Sequence, residues 1–110
     1  MDIPSYYGAT RWTLIVRSRA GDPQREAAAR ELTERYFPLV LRRLRAQGFR
    51  DPEGLCNEFF GRVFFPKLIE EADPDRGHFR GFLGKVLGGF IHDQHRREHR
   101  DPLRQAESLE

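Results

Sequence analysis

The chain has 110 residues, of which 38% are apolar, and its formal net charge is +2. This length supports one domain with a single core, and the lone Cys56 excludes an internal disulfide. No apolar run approaches the roughly 20 residues of a membrane-spanning helix, and no signal-like stretch follows Met1, so we expect a cytoplasmic protein with no membrane partner.

Asp-Pro pairs divide the chain at positions 22, 51, 73 and 101. Each pair is a helix boundary signal, because Asp caps free backbone amides and Pro at the first helical position loses no hydrogen bond. Gly21 and Gly48 precede two of the pairs, where a helix end favours a left-handed residue. No segment alternates with a two-residue period, so the sequence predicts an all-α fold, a compact bundle of four to five helices.

The first two predicted helices carry the start of the core. The first spans residues 11–20, with Trp12, Ile15 and Val16 directed inward. The second spans residues 23–47, and Pro38 is expected to kink or split it. Its inward face is formed by Leu32, Tyr36, Leu39 and Val40.

A third helix is predicted over residues 52–65, ending before Pro66, with a short turn at 67–71 and a loop at 72–78. Its inward face is Leu55, Cys56, Phe59, Phe60 and Val63; its outward face is Gly54, Asn57, Glu58 and Gly61. The outward face is flat, and Glu58 can accept charge-assisted hydrogen bonds from a partner. An ordinary solvated helix face is the alternative interpretation.

The last helix, over residues 79–100, has an apolar stripe at three-four spacing and glycines on the opposite side. We call Gly81, Gly84 and Gly88 the glycine face; it would allow a helix, a loop or a nucleic-acid backbone to approach closely. A basic cluster at residues 92–100 follows the stripe and can hold phosphates. Cations at a helix end also offset the helix dipole, which is the alternative interpretation.

Charge is unevenly distributed along the chain. Residues 51–75 contain seven acids and two bases, and residues 76–104 contain seven bases and three acids. The sequence therefore predicts two surfaces with different partners, one acidic and one basic, unless both are solvated helix faces.

Catalytic and metal-binding patterns are missing from the sequence. It has no Gly-rich phosphate loop after a strand, no Ser-His-Asp set and no HExxH motif. His95 and His99 lack a third metal ligand of suitable spacing, and Cys56 fits a core thiol better than a nucleophile. We expect a binding module with no catalytic residue, metal or cofactor; a helical metal or redox protein is a third, weaker interpretation.

Several motifs together resemble region 2 of bacterial RNA polymerase sigma factors of the extracytoplasmic-function type. The run Asp51-Pro-Glu-Gly-Leu-Cys-Asn-Glu-Phe-Phe resembles the family signature D-x-E-D-L-x-Q-E-x-F. Arg76-Gly-His-Phe-Arg-Gly-Phe-Leu and Phe90-Ile-His-Asp-Gln-His-Arg-Arg resemble its R-G-x-F-R-x-W/F-L … N-x-x-x-D-x-x-R-R helix. With Thr10-Arg-Trp-Thr-Leu and Arg35-Tyr-Phe-Pro-Leu upstream, the resemblance spans residues 10–97.

The resemblance implies a transcription initiation domain with two binding surfaces. One docks on the clamp helices of the RNA polymerase largest subunit, and the implied residues are Asp51, Glu53, Asn57 and Glu58. The other binds the single-stranded, non-template strand of the minus-ten promoter element, and the implied residues are Arg76, His78, Arg80, Lys85, His92, Arg96 and Arg97. An anti-sigma protein is a further implied partner.

The chain departs from the family pattern at three positions. Gly54 and Asn57 replace the usual acid and Gln of the docking motif, and Gly89 replaces a promoter-reading Asn. The first two changes shorten or delete polar contacts to the clamp. Gly89, together with Gly84 and Gly88, favours an alternative, a polymerase- or regulator-binding adaptor that has lost base-specific readout. The predicted domain covers residues 1–100, and 101–110 are a tail or the start of a linker toward the family's helix-turn-helix domain.

Overall fold

A computed structural model describes residues 12–100, and within them it contains helices and turns but no strand. The all-α prediction is confirmed, whereas the predicted tail and the fourth Asp-Pro pair lie outside the described residues. The elements are α1 (Trp12–Arg17), α2 (Arg25–Ala46), α3 (Pro52–Phe59), a π-helical segment (Phe60–Leu68), α4 (Ile69–Glu71), a 3-10 turn (Pro74–Arg76) and α5 (Phe79–Arg100).

The predicted boundary residues fix the turns between these elements. The Asp51 Oδ1 atom accepts a hydrogen bond from the Gly54 amide at 2.9 Å, and Asp73 Oδ1 accepts one from the Asp75 amide at 2.9 Å. Gly21 and Gly48 have φ angles of +88° and +78°, the left-handed conformation expected after a helix. These caps set where α3 and the loop before α5 begin.

Aromatic side chains fill the centre of the bundle. Phe59, Phe64 and Phe79 are fully buried, and the ring of Tyr36 in α2 packs against Phe64 and Phe79 at centroid distances of 6.1 and 5.3 Å. The apolar stripe of α5 faces this core as predicted. Burial raises the pKa of the Tyr36 hydroxyl, although the charges of Arg35 and Arg80 oppose that shift.

The prediction that Pro66 ends the third helix is wrong. Helical backbone continues from Phe60 to Leu68 in the π form, with the Ile69 amide bonded to the Phe64 carbonyl five residues earlier. Burying Phe60, Phe64 and Leu68 stabilises the segment by about 5 to 9 kcal/mol, which exceeds the roughly 3 kcal/mol cost of an internal proline.

Three expectations for α1 and α2 also need correction. Of the two predicted effects of Pro38, a kink or a split, the split does not occur, because α2 is continuous; the Glu34 carbonyl that loses its partner is on the exposed side of the helix. Val16 and Leu39, predicted to point inward, are 49% and 39% exposed. Helix α1 ends at Arg17, before the predicted residue 20, because the buried Ser18 hydroxyl bonds back to the Ile15 carbonyl at 2.8 Å.

Arg19 ties the segment after α1 to the end of α4. Its guanidinium donates to the Ile69 carbonyl at 3.0 Å and to the Ala72 carbonyl at 2.6 Å. The Ala20 amide donates to the Glu70 carboxylate at 2.8 Å. These bonds hold the chain that follows Trp12 beside the loop that leads into α5. None of the helices between residues 12 and 100 combines the length and apolar content that crossing a bilayer requires.

Candidate nucleic-acid interface

An open pocket of about 700 Å³ lies where the loop before α5 meets α1, and we call it the loop pocket. Trp12 from α1 and Phe82 from α5 contribute half-buried aromatic rings to its wall. The loop reaches around the pocket because Gly77 adopts a φ of +122°, which favours glycine. The Trp12 ring is held edge-on against Phe79 at a centroid distance of 6.1 Å.

Charged groups surround these rings. Arg76, His78 and Lys85 line the loop pocket with exposed donors, and the Asp73 and Glu71 carboxylates line it with acceptors. Aromatic faces beside donors and acceptors are the combination that stacks on a nucleobase and bonds to its edges. Three of the predicted DNA-binding residues are therefore brought together here, around rings that were not predicted as part of the site.

A second group of predicted residues shares the outward face of α5. At 100° per residue, Lys85, His92 and Arg96 point to the same side of the helix, and all three are exposed. We call them the basic row. Because Lys85 also lines the loop pocket, the basic row continues from the pocket toward the end of α5.

Arg80 and Arg97 do not join that row. Arg80 of α5 lies beside the buried Tyr36 hydroxyl of α2, where its charge opposes the rise in the Tyr36 pKa that burial causes. Arg97 points toward the third helix, where one guanidinium nitrogen lies 3.8 Å from the Glu58 carboxylate. Both side chains already have protein partners, so their predicted contacts with DNA would compete with these interactions.

The glycine face is only partly open, which corrects the expectation of a bare surface. Gly84 and Gly88 are half-buried, because the Arg43 side chain of α2 extends over them and donates to the Gly84 carbonyl at 3.0 Å. Gly81 and Gly89 are exposed, and a Cβ atom added at either would meet nothing within 4 Å. The remaining open surface lies beside the basic row.

Replacing Gly89 by Ala is expected to stabilise the fold while weakening nucleic-acid binding. The new methyl group meets open space, and an alanine in a helix is favoured over glycine by about 1 kcal/mol. A strand lying close to α5 would instead be pushed away. The free energy of unfolding in urea and the affinity for a single-stranded oligonucleotide measure the two effects.

Gly61→Ala is the matched control, because Gly61 is also exposed with nothing within 4 Å but lies in the π-helical segment. We expect it to leave the oligonucleotide affinity unchanged. Equal affinities for the Gly89→Ala variant and the original chain would show that no ligand approaches this part of α5.

The predicted acidic surface on α3 is already engaged in interactions within the protein. Asp51 caps the helix, and Glu53 pairs with Arg45 of α2 at 3.3 Å. Glu58 lies 3.3 Å from Arg62 as well as near Arg97. Asn57 is also exposed. The two predicted surfaces thus meet at Glu58, which corrects the expectation that they are separate.

Replacing Glu58 by Gln is expected to raise the affinity for single-stranded DNA about two- to fivefold. The change removes a negative charge beside Arg97, and exposed ion pairs of this kind contribute about 0.2 to 1 kcal/mol. Fluorescence anisotropy at low salt measures the difference.

Glu53→Gln removes the same charge from the same helix, next to Arg45 and not beside Arg97, and serves as the control. An equal gain in both variants would mean that only net charge matters. No gain in either would show that Arg97 does not contact the ligand.

Two other candidate chemistries lack the geometry that they need. Burial raises the pKa of the Cys56 thiol to about 11, so Cys56 is a protonated core residue at neutral pH. His95 stacks on Phe49 at 4.5 Å and contacts the Gln47 side chain at 3.2 Å. Across residues 12–100, no three His, Cys, Asp or Glu side chains cluster as metal ligands would.

No protein-family model, curated protein or solved structure matches this chain. Its function is therefore inferred from the loop pocket, the basic row and the sequence motifs that lie on them.

Proposed function

We propose that this domain binds single-stranded DNA by trapping an unpaired base in the loop pocket and holding the adjoining phosphates on the basic row. The observation that carries the proposal is the position of the Trp12 and Phe82 rings beside Arg76, His78 and Lys85 in one open pocket. Stacking on aromatic rings contributes about 1 to 3 kcal/mol per base, and cations supply salt-sensitive attraction to phosphates.

The mechanism is capture and involves no covalent step. A base that leaves the duplex costs a few kcal/mol in lost stacking and pairing, and the pocket offsets this cost by stacking the base between protein rings. Because the pocket accepts unpaired bases only, binding shifts the equilibrium of the DNA toward the open form. Such an activity fits the minus-ten promoter opening that the resemblance to sigma region 2 implies.

On the same proposal, the exposed side of α3 docks on the clamp helices of the RNA polymerase largest subunit. Asn57 is exposed there, and Glu53 pairs with Arg45 while the two side chains remain 62% and 60% exposed. Exposed pairs exchange easily for a partner's Arg or Lys. An anti-sigma protein would cover this surface or the basic row.

The second candidate is an adaptor that docks on polymerase or a regulator and lacks base-specific readout. Two observations favour it: Arg43 covers Gly84 and Gly88, and Gly89 provides no side chain that could read a base. An adaptor would keep the α3 surface and lose the DNA function of α5.

Fluorescence anisotropy with matched single-stranded and duplex oligonucleotides separates the two candidates. DNA capture predicts tighter binding of the single strand. For each tenfold rise in salt concentration, the logarithm of the affinity should fall by about 0.7 per phosphate contact. Equal affinity for both forms would contradict capture. Retention of purified RNA polymerase without DNA binding at low salt would identify the adaptor.

A further inference from the structure

Arg43 lies across the junction of α2 and α5. Its Nη1 atom donates to the Gly84 carbonyl at 3.0 Å, and its Nη2 atom lies 3.3 Å from where a Cβ atom of residue 88 would be. The side chain is nevertheless exposed. The guanidinium is therefore anchored at one nitrogen and open to solvent elsewhere.

Within residues 12–100, Arg43 has no acidic partner, in contrast to Arg45, Arg62 and Arg97. Arg45 pairs with Glu53, and Arg62 and Arg97 pair with Glu58. Among residues 12–100, no carboxylate forms an ion pair with Arg43. A guanidinium has five N–H donors, so most of those on Arg43 remain available to an anion.

Arg43 contacts α5 at a point between the loop pocket and the far end of the basic row. Gly84 is adjacent to Lys85, which lines the loop pocket, and Gly88 is one helical turn before His92. A strand that leaves the pocket along α5 therefore passes beside this guanidinium before it reaches His92 and Arg96.

We infer that Arg43 binds a phosphate of the same strand whose base enters the loop pocket, so that the strand contacts α2 as well as α5. This inference rests on the proposed DNA-binding function. The fork geometry of Arg suits two phosphate oxygens, and the bond to Gly84 fixes the side chain before the ligand arrives, which lowers the entropy cost of binding.

The test is the salt dependence of single-stranded DNA affinity for Arg43→Gln and Arg42→Gln. Arg42 is exposed on α2 at the neighbouring position, and its loss changes net charge equally. We expect Arg43→Gln to weaken binding about fivefold more than Arg42→Gln at low salt. Arg43→Gln should also reduce, by about 0.7, the slope of the logarithm of the affinity against the logarithm of the salt concentration. This is the value for one phosphate contact on a single strand.

A third variant, Arg43→Lys, retains the positive charge and loses the planar, forked set of N–H donors. It should fold normally, keep the slope and weaken binding about twofold to threefold, because lysine binds phosphate as a point charge. Equal slopes for the Arg43→Gln and Arg42→Gln variants would overturn the inference and leave the proposed function standing. An original chain with no preference for single-stranded DNA would overturn both.

Discussion

Replacing Phe82 by Leu is expected to reduce the affinity for a single-stranded oligonucleotide about tenfold. Leucine keeps most of the apolar contact with the core but removes the ring from the loop pocket wall. Aromatic stacking on a base contributes about 1 to 3 kcal/mol, and the leucine side chain recovers only part of that. Anisotropy titrations at several salt concentrations should show weaker binding with an unchanged salt slope, since no phosphate contact is lost.

Phe65→Leu is the matched control for this experiment. Phe65 is also half-buried and packs against the same core, but it lines a different pocket, next to Pro66 and Glu70. We expect similar losses of stability in both variants and a loss of DNA affinity in Phe82→Leu alone. Equal affinities in the two variants would mean that the loop pocket holds no base.

Replacing Phe64 by Ala is expected to destabilise the fold by about 3 to 5 kcal/mol, the usual effect of removing a buried phenyl ring. Phe64 is 0% exposed, stacks on Phe60 at 4.5 Å and meets the edge of Phe65 at 4.9 Å. A small domain is stable by only about 5 to 15 kcal/mol, so this loss is a large fraction of the total. Urea unfolding followed by circular dichroism measures it.

Phe65→Ala provides the comparison, because Phe65 follows Phe64 in the same π-helical segment and is only half-buried. We expect a clearly smaller loss there. If both variants lost equally, the segment's backbone geometry rather than the buried ring would be the source of stability. A loss below about 1 kcal/mol for Phe64→Ala would contradict the central position of this ring, because a filled core cannot close over a missing phenyl group without cost.

Local patterns in the sequence were sufficient to predict most of the fold. Caps such as Asp51 and Asp73, and the three-four spacing in α5, depend on neighbours within one or two turns, so a single sequence contains them. The continuation past Pro66 depended on aromatic burial across the bundle. A proline in the sequence indicates only its local cost to helix stability. It does not indicate the free energy gained by burying side chains across the bundle, which here exceeds that cost.

The candidate site was predictable in its charges and less so in its contacts. Lys85, His92 and Arg96 share one face because of helical periodicity alone. The Arg43 contact with Gly84 joins residues 41 positions apart, and no local pattern signals it. The same holds for the Glu58 contact with Arg97 and for Trp12 reaching the loop pocket. Such contacts depend on how helices cross, which composition and spacing do not specify.

The attachment of Arg19 to the end of α4 has a kinetic consequence. Its two bonds to the Ile69 and Ala72 carbonyls brace the loop before any ligand is present. Under the proposed function, an unpaired base would meet walls that are already assembled, so no slow rearrangement of the protein would have to precede or follow the encounter. Stopped-flow traces of association with a single-stranded oligonucleotide should accordingly fit one exponential, whose rate constant rises linearly with oligonucleotide concentration and does not level off.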